Sequence, residues 1–206
     1  MKKKLVEVQL VIPDAGILIS LAHGDLLGVI LEFADTVTVV ITDIVKFEVT
    51  RRADLFDAKK IEDFLAENKD RIKEIDTGYG PILELARKNP DIKLPENIGE
   101  HSIYGFVNDI RSEKPGIPTL VLFEDNWFVK NELGSRPTMV HLVSLVSFLR
   151  YAEQVIPDFS FENAIERIKN TRPNVNLVKI DSPGKNSAVG AETNWKPAFK
   201  SQSLSM

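Results

Sequence analysis

"LVIPDAGILISL", residues 10–21, joins two apolar runs of different character with only Pro13 and Asp14 between them. The first belongs to "LVEVQLVI" (5–12), which is rich in β-branched residues and short enough for a buried strand. The second opens "AGILISLAHGDLLGVIL" (15–31), a helical stretch broken near Gly24, with Asp14 standing where a helix N-cap belongs. A strand that hands straight over to a helix is the unit of an α/β sheet.

It recurs. "TVTVVI" (36–41) reads as a strand, and Thr42 and Asp43 are cap candidates for "IVKFEVTRR" (44–52), whose branched residues suit strand or helix equally. "DAKKIEDFLAEN" (57–68) is an amphipathic helix with Ile61, Phe64 and Leu65 on one face, followed by the strand "IKEID" (72–76). "PILELARKN" (81–89) is a helix started by its proline, and "EHSIYGFVNDIRSEK" (100–114) carries Ile103, Phe106, Val107 and Ile110 at helical spacing. "PTLVLF" (118–123) and "TMVHLVSL" (138–145) are strands, and "VSFLRYAEQV" (146–155) and "SFENAIERIKN" (160–170) are helices, the last capped by Ser160. Alternation of this kind predicts a three-layer α/β/α fold around a central, mainly parallel sheet. The expected organisation is a main domain over 1–155, a helical extension packed on it over 156–180, and a flexible tail over 181–206, where Ser, Gly, Asn and Pro replace any periodicity.

At 206 residues and 43% hydrophobic content the chain can bury one sizeable core. A net charge of -4 gives no basic signature announcing a nucleic-acid partner by composition alone. The absence of cysteine excludes disulfides, thiolate metal sites and cysteine nucleophiles, and suits a reducing compartment. The start "MKKKLVEVQLVIP" lacks a cleavage site and is read as a mature cytoplasmic beginning; no run reaches the ~20 clean apolar residues of a membrane span.

Ligands of an open parallel sheet gather outside the carboxyl ends of its strands. Asp14 and Asp125 both leave strands at that edge, Asp125 within "VLFEDNWFVK" (121–130). Glu48 follows the second strand and borders the inward face of Ile44 and Phe47, and Glu100 shares the stripe of Ile103 and Val107. Singly, each acid has a plain reading: Asp14 as an N-cap worth about 1 kcal/mol, Glu100 as a partner of its helix dipole, Asp125 and Glu124 as a solvated turn, Glu48 as an ion-pair partner of Lys46, Arg51 or Arg52. Together, four carboxylates at one edge repel one another and call for a cation. Oxygen donors without thiolates or a spaced histidine pair suit Mg²⁺ or Mn²⁺, and such a site is built for phosphate chemistry.

In order, "VIPDAGILISL", "ITDIVKFEV", "IGEHSIYGFV" and "TLVLFEDNWF" resemble the four acidic stations of the PIN-domain nucleases, a family that includes the toxin ribonucleases of toxin–antitoxin pairs. The likeness covers about residues 5 to 150, with Ile103 and Tyr104 bulkier than usual and "RSEKPGIP" (111–118) lengthening the interval between the last two stations. It implies that Asp14, Glu48, Glu100 and Asp125 are metal ligands, with Glu124 as companion to Asp125. It further implies a metal-dependent endoribonuclease that hydrolyses phosphodiester bonds of single-stranded RNA with water as nucleophile. A homodimer and a cognate antitoxin go with the toxin variety. The alternative is a PIN-like module that binds nucleic acid or protein without turnover. A haloacid-dehalogenase-type phosphotransferase is disfavoured because position 16 is glycine where a second aspartate belongs.

Lys46, Arg51, Arg52 and Lys130, with Arg87, Lys88 and Arg136, are candidates to track an RNA backbone around the acids. None of His23, His101 and His141 reads as catalytic. His101 follows Glu100 directly and so points about 100° away from it on a helix.

Overall fold

The computed structural model describes residues 6–32, 37–89, 91–114, 116–125, 127–130, 140–175 and 195–197. The apolar run at the start does not make one strand. It makes two, β1 (Val6–Val8) and β2 (Leu10–Pro13), separated at Gln9. The break has a local cause: the N–H groups of Gln9 and Leu10 both donate to the Pro118 carbonyl, so the ladder cannot run on evenly through them.

From β2 the chain builds a parallel sheet with β3 (Thr38–Thr42), β4 (Ile72–Ile75), β5 (Thr119–Phe123) and β6 (Val140–Ser144), in the order β4-β3-β2-β5-β6. Every pairing in it is parallel, and helices cover it in a three-layer α/β/α arrangement. Burial on both faces explains why β5 reads as an unbroken apolar run. The strand order reverses direction between β2 and β5, so the sheet's topological switch point lies between the ends of those two strands.

The helices are α1 (Ala15–Gly24), α2 (Gly28–Leu31), α3 (Asp43–Thr50), α4 (Phe56–Glu67), α5 (Gly80–Lys88), α6 (Ile98–Glu113), α7 (Trp127–Lys130), α8 (Leu145–Val155) and α9 (Phe161–Thr171). The ambiguous segment after β3 is helical. Thr42 caps α3 by accepting from the Val45 N–H at 3.2 Å, and Ile44, Val45, Phe47 and Val49 are all buried, so packing outweighs their weak helix propensity. Ser160 caps α9 as its sequence predicts.

Helix α9 lies antiparallel on α1. Fully buried Ile168 meets Gly24, where a β-carbon would come within 2.7 Å of Ile168 Cγ1, and Arg167 pairs with Asp25 at 3.2 Å. Ala164 and Ile168 belong to the same apolar core as Ile12, Ile17, Val121 and Leu122. Within the stretch expected to be a tail, Trp195–Pro197 form β7 (Trp195–Pro197), paired in parallel with β1; the rest of 181–206 lies outside the described residues. Among the described residues no helix is long and apolar enough to cross a membrane.

Candidate functional site

Asp14 follows β2 and caps α1. Its Oδ1 accepts from the Ile17 N–H at 2.7 Å, and its Oδ2 accepts from the Glu124 N–H at 3.2 Å, across the switch point. Its own N–H donates to the Leu122 carbonyl. These bonds fix the carboxylate at the junction of β2 and β5, where only 3% of the residue is exposed. Burial raises its pKa well above the ordinary aspartate value; the two backbone donors oppose the rise, and the charges of Glu124 and Asp125 add to it.

Asp125, one residue beyond Glu124, is exposed, and its Oδ1 accepts from the Trp127 N–H at 2.7 Å at the start of α7. Its neighbour across the edge is Glu100 in the first turn of α6. Glu100 has its pKa raised by burial, by the charge of Asp125 and by a side-chain hydrogen bond to it, while His101 pulls the other way. Two carboxyl groups can share a hydrogen bond only if one holds a proton.

Glu48 stands beyond Glu100. Burial, then the Glu100 charge, lifts it from the ordinary glutamate value of 4.5 to about 7, with the Gly99 N–H and Arg51 working against the rise. Its carboxylate serves the amino end of α6, whose N-cap residue Asn97 is in the left-handed region (φ 56°) and offers no side-chain cap. The approach depends on Gly99: a β-carbon there would lie 2.2 Å from Glu48 Oε2. Ser102 bonds the Thr42 hydroxyl at 2.7 Å and the Gly99 carbonyl at 2.6 Å, tying the start of α6 to the end of β3.

The four acids nominated from sequence are therefore coupled in a row along one edge, Asp14 with Asp125 and Glu100 with Glu48 through their charges, and Asp125 with Glu100 through a hydrogen bond as well. Their donor chemistry fits a hard divalent ion, since all are oxygen donors, and burial first, then neighbouring carboxylates, raises the proton affinity of Asp14, Glu48 and Glu100. Their arrangement is a row and not a cage: among the described residues no three His, Asp or Glu side chains gather closely enough to hold a metal ion.

Glu124 is engaged elsewhere. Both its oxygens accept from Arg172 Nη1, at 2.8 and 2.7 Å, and Oε2 also accepts from the Ser20 hydroxyl. Nothing local in "FEDNWF" announces this, because the partner arrives from the end of α9. The basic residues nominated for RNA are partly engaged too: Lys46 pairs with Glu74, Arg52 with Asp54 at 3.0 Å, Lys88 with Glu84 at 3.7 Å, and Arg87 lies over the Phe47 ring. Arg136 and the side chain of Lys130 lie outside the described residues. His101 is exposed, as expected, and meets Trp127 edge to face at 4.9 Å. Nothing local in the sequence joins these two rings, which come from α6 and α7.

Fold and site together define a class: a parallel α/β domain with an acidic row at the switch point of its sheet. No protein-family model matches the chain, and no curated protein matches it either.

Proposed function

We propose that this chain is a PIN-like, Mg²⁺- or Mn²⁺-dependent endoribonuclease acting on single-stranded RNA. The observation that carries the reading is the row Asp14–Asp125–Glu100–Glu48, whose members sit where ligands of such sheets bind and of which Asp14, Glu100 and Glu48 hold protons more tightly than free carboxylates do. A divalent ion there would supply compensating charge, activate water toward a phosphodiester and steady the leaving oxygen. The acids of the row are the residues that would hold it, with Asp125 and Glu100 already in direct contact. Asp14 is the rigid member, fixed by two backbone N–H groups. Glu48, whose pKa of about 7 lets it take or give a proton near neutrality, stands at the far end of the row. Lys46, Arg51, Arg52 and Lys130 are proposed to steer the RNA backbone, the exposed ion pairs of Lys46 and Arg52 being weak enough to exchange for phosphate.

Incubating unstructured RNA with the protein and Mn²⁺, beside Asp14→Asn, tests the reading. Cleavage by the wild type alone supports it. Cleavage by both points to a contaminant, and cleavage by neither favours a PIN-like module that binds nucleic acid or protein without turnover. That second reading draws support from the acids standing in a row without a cage. The toxin variety of the first reading carries a cytoplasmic location, a homodimer and a cognate antitoxin that covers the acidic edge. Light scattering of the pure chain, and co-expression with the product of a neighbouring gene, address the last two.

A further inference from the structure

The sheet ends at β4, and the helix beside that end, α4, packs chiefly on α1 and α3. An open cavity of about 490 Å³ is left between α4 and the last strand, room enough for a few side chains. Its apolar lining is buried Ile41 and Ile72 from the sheet, with Leu65 and Ala66 from α4. Of the charged groups around it, Lys46 and Glu74 pair with each other. Glu62, Lys69 and Lys73 make no ion pair among the described residues, so the cavity carries a positive excess on a chain that is acidic overall.

The cavity adjoins backbone that is paired on one side only. β4 is laddered to β3 from Ile72 to Ile75, and its outer side meets no strand among the described residues. A further strand laid there would point alternate side chains into the cavity. A second copy of this chain does not fit the edge. Two β4 strands meeting antiparallel about a two-fold axis place Lys73 opposite Lys73, or Glu74 opposite Glu74; centred on Ile72 they place Lys73 opposite Arg71. Like charges so placed repel.

We infer that this edge docks an extended peptide segment of a partner protein, which joins the sheet as a sixth strand. Ladder hydrogen bonds to β4 supply the affinity, and the cavity supplies the specificity. It takes an apolar side chain against Ile72, Leu65 and Ala66, and an acidic one two residues away that answers Lys69 and Lys73. No residue of the acidic row takes part.

The probe is a fluorescein-labelled heptapeptide with valine, glutamate and valine at its even positions and threonine at the others, titrated into the full chain by anisotropy. The wild type is expected to bind it, with hydrogen exchange slowed at the amides of Ile72–Ile75. Methylating the peptide's backbone nitrogens at odd or at even positions should weaken binding about tenfold for the set that faces β4 and less for the other. Ala66→Trp, at an exposed position, fills the cavity and should abolish binding. Lys69→Glu, also exposed, should weaken it about fivefold, and a peptide with lysine in place of glutamate should regain the loss. Circular dichroism confirms that both variants fold. No binding at millimolar peptide, equal binding of the parent and both methylated peptides, or unslowed exchange at β4 overturns the inference. So does unstructured RNA that binds the wild type, fails to bind Ala66→Trp and expels the peptide, since the groove would then belong to nucleic acid.

Discussion

Glu48 reaches the amino end of α6 through the space left by the missing side chain of Gly99, where a β-carbon would stand 2.2 Å from Oε2 and 3.0 Å from the carboxyl carbon. The clash is with the far end of a flexible side chain, so alanine at 99 should turn Glu48 aside without breaking the helix. The lost hydrogen bond and the gain in helix propensity are each about 1 kcal/mol, so Gly99→Ala should change stability by less than that while weakening Mn²⁺ binding and RNA cleavage. Gly105, in the same helix with open space around its α-carbon, is the control: Gly105→Ala should raise stability by about 0.5–1 kcal/mol and leave function alone. Equal behaviour of the two variants in chemical denaturation and Mn²⁺ titration would show that Glu48 does not depend on Gly99.

The pH dependence of stability follows from the same residue. Glu48 holds its proton to about 7 in the folded protein, against 4.5 ordinarily, so between those values the folded state binds more protons than the unfolded one. The contribution of Glu48 to the stability of the metal-free protein should then be full below pH 4.5 and be lost as pH rises to about 7, with Asp14 and Glu100 adding to the loss. Mn²⁺ competes with those protons, so the stabilisation it confers should grow over the same interval. Melting temperatures at a series of pH values, with and without Mn²⁺, measure both slopes; Glu48→Gln should flatten the first.

What could be read from sequence was what is local. A branched run followed by Asp14 or Asp125 identifies a strand end wherever it occurs, because strand and helix propensities and caps are decided within a few residues. The parallel sheet and the position of all four acids at its carboxyl edge follow from that alternation. The misses share another property. The break at Gln9 is made by Pro118, the conformation of Glu48 by Gly99, and the pairing of Glu124 by Arg172, each a contact between segments remote in sequence. In α3 local propensity was undecided, and burial of Ile44 and Phe47 chose the helix.

Docking of α9 rests on Ile168, which is 0% exposed and belongs to the central core. Ile168→Ala should cost about 2–5 kcal/mol, as expected for a large-to-small change at a closely packed site. The cost should appear in chemical denaturation as a lower midpoint with an unchanged slope. A loss under about 1 kcal/mol would mean that α9 is held mainly by Arg167 and Arg172, and not by its apolar face.

Trp127 offers a direct report on where a cation settles. Its backbone N–H is bonded to Asp125, its ring lies against His101 at 4.9 Å, and the chain has 2 tryptophans in all. The other, Trp195, is paired alongside Val6 on β1, which precedes β2 in the chain, whereas Asp125 follows the carboxyl end of β5. Mn²⁺ is paramagnetic and quenches indole emission at short range. In Trp195→Phe protein, where Trp127 alone emits, saturating Mn²⁺ should dim the fluorescence, and the dimming should vanish in Asp14→Asn. In Trp127→Phe protein the remaining emission should be indifferent to Mn²⁺. Quenching confined to Trp195 would place the ion elsewhere on the molecule and remove the acidic row from the chemistry.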